Sequence, residues 1–148
     1  MIHFIYHGEA VGKGRPRVAR RGNYVHTYTP EKTRAFEEAI HFEFLASNCE
    51  KLPVYEKGTP LVATIVIGVE IPKSYTKKRY ALCRDRVLVP TKKPDTDNVV
   101  KSILDALDGG AAGAGAYDDD SQIVKIIAEK VYSEEPFVEV TIDEYKGA

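Results

Sequence analysis

The alternation of apolar and polar positions divides the chain into a short series of elements. Ile2 to Ala10 partly alternates and is rich in Ile, Phe and Tyr, which predicts a first strand. The following GKGRPRVARRGNY reads as loop, because Gly12, Gly14, Pro16 and Gly22 interrupt any period. Tyr24 to Tyr28 predicts a second short strand that completes a hairpin. Thr29 then suits an N-cap and Pro30 a first helical position, and Phe36, Ala39, Ile40, Phe44 and Leu45 form an apolar stripe at helical spacing. This predicts a helix to about Ser47.

Leu61 to Ile71, a run of Val, Ile and Thr, has the signature of a central strand ended by Pro72. Ser74 to Arg84 predicts a basic helix, and the residues from there to Pro94 a loop holding one short extended piece. Asp95 to Asp108 predicts a second main helix, with Val99, Val100, Ile103, Leu104 and Leu107 on one face and Gly109 and Gly110 marking its end. The low-complexity patch GGAAGAGA, Gly109 to Ala116, reads as a flexible connection. Gln122 to Tyr132 and Phe137 to Tyr145 predict two closing strands around the turn Ser133 to Pro136. The expectation is one α+β domain over residues 1–148, with a mixed sheet of about four to five strands flanked by two main helices.

An apolar share of 43% and a charged share of 29% place the chain among ordinary soluble globular proteins and exclude a membrane-spanning class. MIHFIYHGEAVGKGR has no basic stretch followed by a long apolar run and cleavage site, so the expected location is the cytoplasm. Cys49 and Cys83 lie far apart with no CxxC partner, which argues against a disulfide framework and a cysteine zinc site. Net charge is only -1, yet the charges are segregated. Val11 to Thr29 carries five basic residues (Lys13, Arg15, Arg17, Arg20, Arg21) and no acid, and Lys73 to Lys93 carries eight against Asp85 alone. Pro94 to Ser121 reverses this, with seven aspartates against Lys101. Any one run is ordinary surface charge; basic arms beside an acidic centre together suit a protein that grips phosphates and concentrates metal at one point.

The informative stretch is KPDTDNVVKSILDALDG followed by YDDDSQI. Asp97, Lys101 and Asp105 are spaced by four, so on a helix they lie about 40° apart on one face, opposite the valine and leucine stripe. For a single aspartate at the helix start, capping is sufficient explanation. It does not account for Asp95 and Asp97 together with Asp118, Asp119 and Asp120, which follow a flexible loop that can return the chain toward the same helix end. Crowding like charges is costly unless a cation neutralises them, and oxygen-only ligands point to Mg²⁺, with Mn²⁺ as a substitute. Other signatures fail. GEAVGKG is one residue short of a P-loop and lacks Ser or Thr after Lys13, GGAAGAG follows a helix where a dinucleotide fingerprint precedes one, and His3, His7, His26 and His41 form no ligand pair.

The pattern D-x-D-N-x-x-K-x-x-x-D-A-L, here Asp95, Asp97, Asn98, Lys101, Asp105, Ala106 and Leu107, followed by D-D-x-Q, here Asp119, Asp120 and Gln122, resembles the RusA family of Holliday junction resolvases. GKGRPRVARRG...TYTPEKT also resembles phage and prophage members, so the resemblance touches most of the chain. It implies a homodimeric Mg²⁺-dependent endonuclease that makes paired nicks across a four-way DNA junction, in recombination and repair. By motif position it implies Asp95, Asp97 and Asp120 as catalytic, metal-holding carboxylates, Asp119 as a further metal candidate and Lys101 as the catalytic lysine. The chain departs from the pattern in the expanded GGAAGAGA loop and in three consecutive aspartates where two are expected. Anchoring on Gln122 ranks Asp120 above Asp119 and Asp118 as third ligand.

Lys13, Arg15, Arg17, Arg20, Arg21, Lys73, Lys77, Lys78 and Arg79 are the candidate backbone clamps, setting orientation without reading sequence. Two other readings stand beside the resolvase. One is a non-catalytic DNA-binding phage accessory protein with structural or Ca²⁺-binding aspartates, although Val99 and Val100 occupy the positions where an EF-hand loop needs a ligand and a glycine. The other is a nuclease for flaps or forks.

Overall fold

The computed structural model describes residues 1–14, 17–28, 30–47, 51–109 and 115–147. A four-stranded mixed sheet forms one layer, in the order β1 (Ile2–Tyr6), β6 (Phe137–Glu144), β4 (Leu61–Glu70), β5 (Ile123–Ser133). β1 and β4 both run antiparallel to β6, whereas β4 and β5 are parallel. The parallel pair needs a long crossover, and residues 71–122, with two of the helices, supply it. Alternate residues of β4 (Leu61, Ala63, Ile65, Ile67) are fully buried on one face, in register with Ile142, Val140 and Val138 of β6. That face is covered by α1 (Glu31–Ser47) through Phe36, Ile40 and Phe44, and by α3 (Thr96–Leu107) through Val99, Ile103 and Leu107. Full burial of each such side chain contributes about 1.5–3 kcal/mol, so the α3 stripe fixes which helix face is left for solvent.

The α+β expectation and the main elements hold, with differences at several places. Arg17–Arg21 is a strand, β2, paired with β3 (Tyr24–Tyr28) through a two-residue turn in which Gly22 has φ 61°. Reading this stretch as loop gives weight to Gly12, Gly14 and Pro16, which lie before the strand, and to Gly22, which is the turn itself. The hairpin forms a separate sheet. β1 ends at Tyr6, short of the expected Ala10. A third helix, α2 (Lys77–Arg84), occupies the basic segment and is capped by Thr76, whose side chain accepts from the Arg79 N–H. No strand follows it before Pro94. Thr29, the expected cap of α1, and Cys49 lie outside the described residues, as do 110–114 of the glycine-rich patch; Cys83 is a buried free thiol. No helix among the described residues is long and apolar enough to cross a membrane.

Candidate active site

α3 builds one wall of the site. Its apolar stripe turns inward, so Asp97, Lys101 and Asp105 are carried on the outer side, where they line a groove of about 600 Å³ together with Asp120. Thr96, Val100 and Leu104 of the same helix, with Ile126 and Ala128 of β5, complete the lining. Lys101 lies one turn from Asp105, its Nζ 3.9 Å from Asp105 Oδ2, and its side chain remains 63% exposed, free to meet a ligand. Lys13 also converges here: its Nζ is 3.1 Å from Asp105 Oδ2 and donates to Glu37 of α1. Burial works to lower the Lys13 pKa, but the hydrogen bonds to Glu37 and Asp105 outweigh it and the net shift is upward. Asp95 occupies the N-cap of α3 by backbone geometry but makes no side-chain cap. Its oxygens instead lie 3.6 Å from Lys93 Nζ and 3.4 Å from Asn98 Nδ2, and it is not among the residues lining the groove.

The other wall is the return of the chain from Gly115 to Gln122. Ala116 N–H donates to the Leu107 carbonyl and Gly109 N–H to the Tyr117 carbonyl, which lays the returning strand against the end of α3. A β-carbon on Gly115 would fall 2.2 Å from Gly109 N, so the approach requires glycine there. Tyr117, fully buried, anchors the return by donating its hydroxyl to the Leu104 carbonyl at 2.6 Å. Gln122, also buried, closes it. Its Oε1 accepts from the N–H groups of Asp118 and Asp119, and its Nε2 donates to the carbonyls of Glu56 and Thr59. The described ends of the glycine-rich patch, Gly109, Gly115 and Ala116, are thus packed, and its reading as a flexible connection falls on 110–114, outside the described residues.

This staple sets the carboxylates. One oxygen from each of Asp108, Asp119 and Asp120 lies within 4.8 Å of the others. Asp120 faces the groove shared with α3, whereas Asp118 and Asp119 line a neighbouring groove with Lys57 and Ser121. Burial pushes the Asp120 carboxyl above its ordinary range, reinforced by its hydrogen bond with Asp119 and by the charges of Asp108, Asp119 and Asp105. Asp119 moves the opposite way, held down by the Ser121 N–H and by the proton shared with Asp120. Tyr117 is raised by burial and by the same aspartates. Such a site favours a cation.

The sequence motif assigns no role to Asp108, nor to Asp105 beyond its place in the pattern. A signal for Asp108 exists: it is the C-cap of α3, where a carboxylate faces the negative end of the helix dipole, a poor placement for stability alone. Tyr117 has no signal, since one aromatic after a glycine-rich patch has no distinguishing pattern.

The basic candidates distribute over two elements. Arg20 is exposed on β2, and Lys73, Lys77, Lys78 and Arg79 are exposed at and before α2, with the Arg79 guanidinium 4.0 Å over the Tyr75 ring. Arg15 lies outside the described residues, and of Arg17 and Arg21 only the backbone is described. Lys13 is committed to Glu37 and Asp105. Of the histidines, His3 is paired to Glu139 and His41 Nδ1 lies 3.0 Å from the Ala106 carbonyl oxygen, while His7 is exposed.

A two-layer α+β protein with a carboxylate-and-lysine groove between a helix and an edge strand has the parts of a phosphodiester-cleaving enzyme. The family model for endodeoxyribonuclease RusA matches residues 7–143. The chain is also 37% identical over 145 residues to an uncharacterized protein, YqaN, of Bacillus subtilis (strain 168), covering 97% of this chain and 96% of that one. The chain belongs to the RusA family of endodeoxyribonucleases.

Proposed function

We propose that the protein is a divalent-metal-dependent resolvase that cuts four-way DNA junctions by paired symmetric nicks, as a homodimer, in cytoplasmic recombination and repair. The observation that carries this reading is the convergence of Asp97, Lys101 and Asp105 from one helix with Asp120 from the return in a single groove. The donors fit a hard cation: Asp97, Asp105, Asp108, Asp119 and Asp120 offer only carboxylate oxygens, and the burial and neighbouring charges that push Asp120 upward are offset by one. Asp120 with Asp108 and Asp119, whose oxygens lie within 4.8 Å of one another, would hold Mg²⁺, or Mn²⁺ in its place, with Asp97 facing them along the groove and Asp95 as a more distant donor. When bound, the ion supplies Lewis acidity toward the scissile phosphate and lowers the pKa of a water.

The chain's own groups do the rest. Lys101, exposed over the groove and steadied by Asp105, offers a point charge to the leaving oxygen. Lys13 holds Asp105 from the other side and fixes that carboxylate beside Lys101. Arg20, Lys73, Lys77, Lys78 and Arg79 clamp phosphates on the arms, which positions a branched substrate without reading bases.

The test is cleavage of mobile and fixed four-way junctions, flaps and linear duplex, in Mg²⁺ and then in EDTA. Symmetric nicks in the junction alone, abolished by EDTA, are expected. Preference for flaps or forks would reassign the substrate, and retained binding with no product in any metal would favour an accessory DNA-binding protein.

A further inference from the structure

β5 is an edge strand whose first half is uncovered. Among the described residues it pairs on one side only, with β4. Val124, Ile126 and Ile127 are 56%, 48% and 50% exposed, on both faces of the strand. Further along the cover returns: Val131 is buried, and Lys130 Nζ donates to the carbonyls of Lys92 and Pro94. Edge strands are ordinarily blunted by charge or covered, and strands with a parallel partner are ordinarily buried. Here one charged residue, Lys125, interrupts three exposed branched apolar residues.

We propose that the free edge of β5 is the homodimer interface, pairing antiparallel with β5 of a second copy about a two-fold axis at Ile127. A two-fold axis perpendicular to the sheet keeps every residue on its own face, so only registers centred on a residue are allowed. Centring on Ile126 sets Lys125 against Ile127 and Ile123 against Glu129. Centring on Ile127 sets Ile127 against itself, Ile126 against Ala128, and Lys125 against Glu129 twice across the axis. Opposite charges directly across a ladder stabilise it and an unmatched register forfeits them, so the sequence selects the second.

The pairing deepens the homodimer reading above and rests on it. Ile126 and Ala128 stand on the α3 side of the sheet, in register with buried Ala63 and Ile65, and both line the groove that holds Asp97, Lys101 and Asp120. Across the axis, Ile126 of one protomer meets Ala128 of its partner. The two grooves therefore adjoin on the same face of a continuous eight-stranded sheet, in position to meet two symmetry-related strands of one substrate.

Sedimentation of the full chain, with folding checked by circular dichroism, tests this. Lys125→Glu and Glu129→Lys should each weaken dimerisation roughly tenfold, since each replaces two opposite-charge pairs with two like-charge pairs, and the double swap should restore it. Ile127→Cys should give a cross-linked dimer on mild oxidation under conditions where the parent chain does not. A dimeric parent whose single variants are unaffected, whose swap fails to restore, or whose Ile127→Cys form does not cross-link overturns the interface and leaves the homodimer reading standing. A parent that is monomeric at every concentration, with and without junction DNA, overturns both, while junction cleavage measured alongside judges the nuclease reading separately.

Discussion

The wall of the groove contributed by α3 and the wall contributed by the return from Gly115 to Gln122 hold the same kind of side chain by different means. On α3 a regular helix does the work. Burial of Val99, Ile103 and Leu107 leaves Asp97, Lys101 and Asp105 no choice of face. On the return no period exists, and each residue is placed by a particular contact: Gly115 by its closeness to Gly109, Tyr117 by the Leu104 carbonyl, and Asp118 and Asp119 by Gln122. The first wall tolerates changes at surface positions. The second depends on a few buried polar bonds, each costly to leave unmade.

The largest expected effect is on the helical wall and touches chemistry alone. Asp97→Asn keeps size and shape but removes a charge, so cleavage of junctions in Mg²⁺ should fall roughly a hundred- to thousandfold. Gel-shift affinity in Ca²⁺ should hold or tighten, and normal turnover would leave Asp97 a simple helix-end residue. Tyr117→Ala breaks the other wall and should fall on stability first, at about 3–5 kcal/mol in urea unfolding. Tyr117→Phe loses only the bond to Leu104, about 1 kcal/mol. If Tyr117→Phe is as stable as the parent chain, the hydroxyl is not the anchor and the contrast between the walls fails.

A smaller effect sharpens the electrostatic side of the contrast. Asp120 is raised above its ordinary value of 3.8, so the stability it contributes is full below that pH and is lost as pH rises through the raised value. Asp119 is lowered, so its contribution changes only below the same ordinary value. In EDTA, the Asp120 contribution should therefore decline above about pH 4. Mg²⁺ should raise the melting temperature at pH 7.5 and hardly at all at pH 4. Asp120→Asn should raise the metal-free melting temperature by about 2–4 °C per kcal/mol of repulsion relieved and abolish the response to Mg²⁺. An unchanged response would move the cation away from the return. The smallest effect lies outside both walls: Arg20→Ala with Lys77→Ala should weaken junction binding a few-fold and flatten its salt dependence by roughly two counterions, with turnover at saturating DNA preserved.

The difference between the walls also explains what is legible in the chain. Periodicity alone locates α3 to within a residue at each end, and spacing by four is enough to put Asp97, Lys101 and Asp105 on one face. The α+β class, β4 and the closing strands β5 and β6 are legible for the same reason, since alternation or an unbroken apolar run survives in each. The return is legible only in its acids. Gln122 stands out in the motif, but its action through four backbone groups, two of them on the Glu56–Thr59 turn, is long-range and leaves no local pattern. The convergence of Asp108 with Asp119 and Asp120 escapes a reading of the chain because twelve residues separate Asp108 from Asp120 and the Gly109–Tyr117 staple joins them. Lys13 groups with the DNA clamps by charge, whereas its partners lie on α1 and α3.

That staple has a consequence for chain length. Gly109 N–H on the Tyr117 carbonyl and Ala116 N–H on the Leu107 carbonyl fix its two ends to each other, whatever length of chain joins them. The entropy of closing such a loop grows only with the logarithm of its length, about 0.6 kcal/mol for each doubling. An expanded segment at this place thus costs the carboxylate cluster almost nothing, because distance along the chain is uncoupled from distance in space. By the same property, lengthening the chain between Gly109 and Gly115 should leave Asp108 beside Asp120.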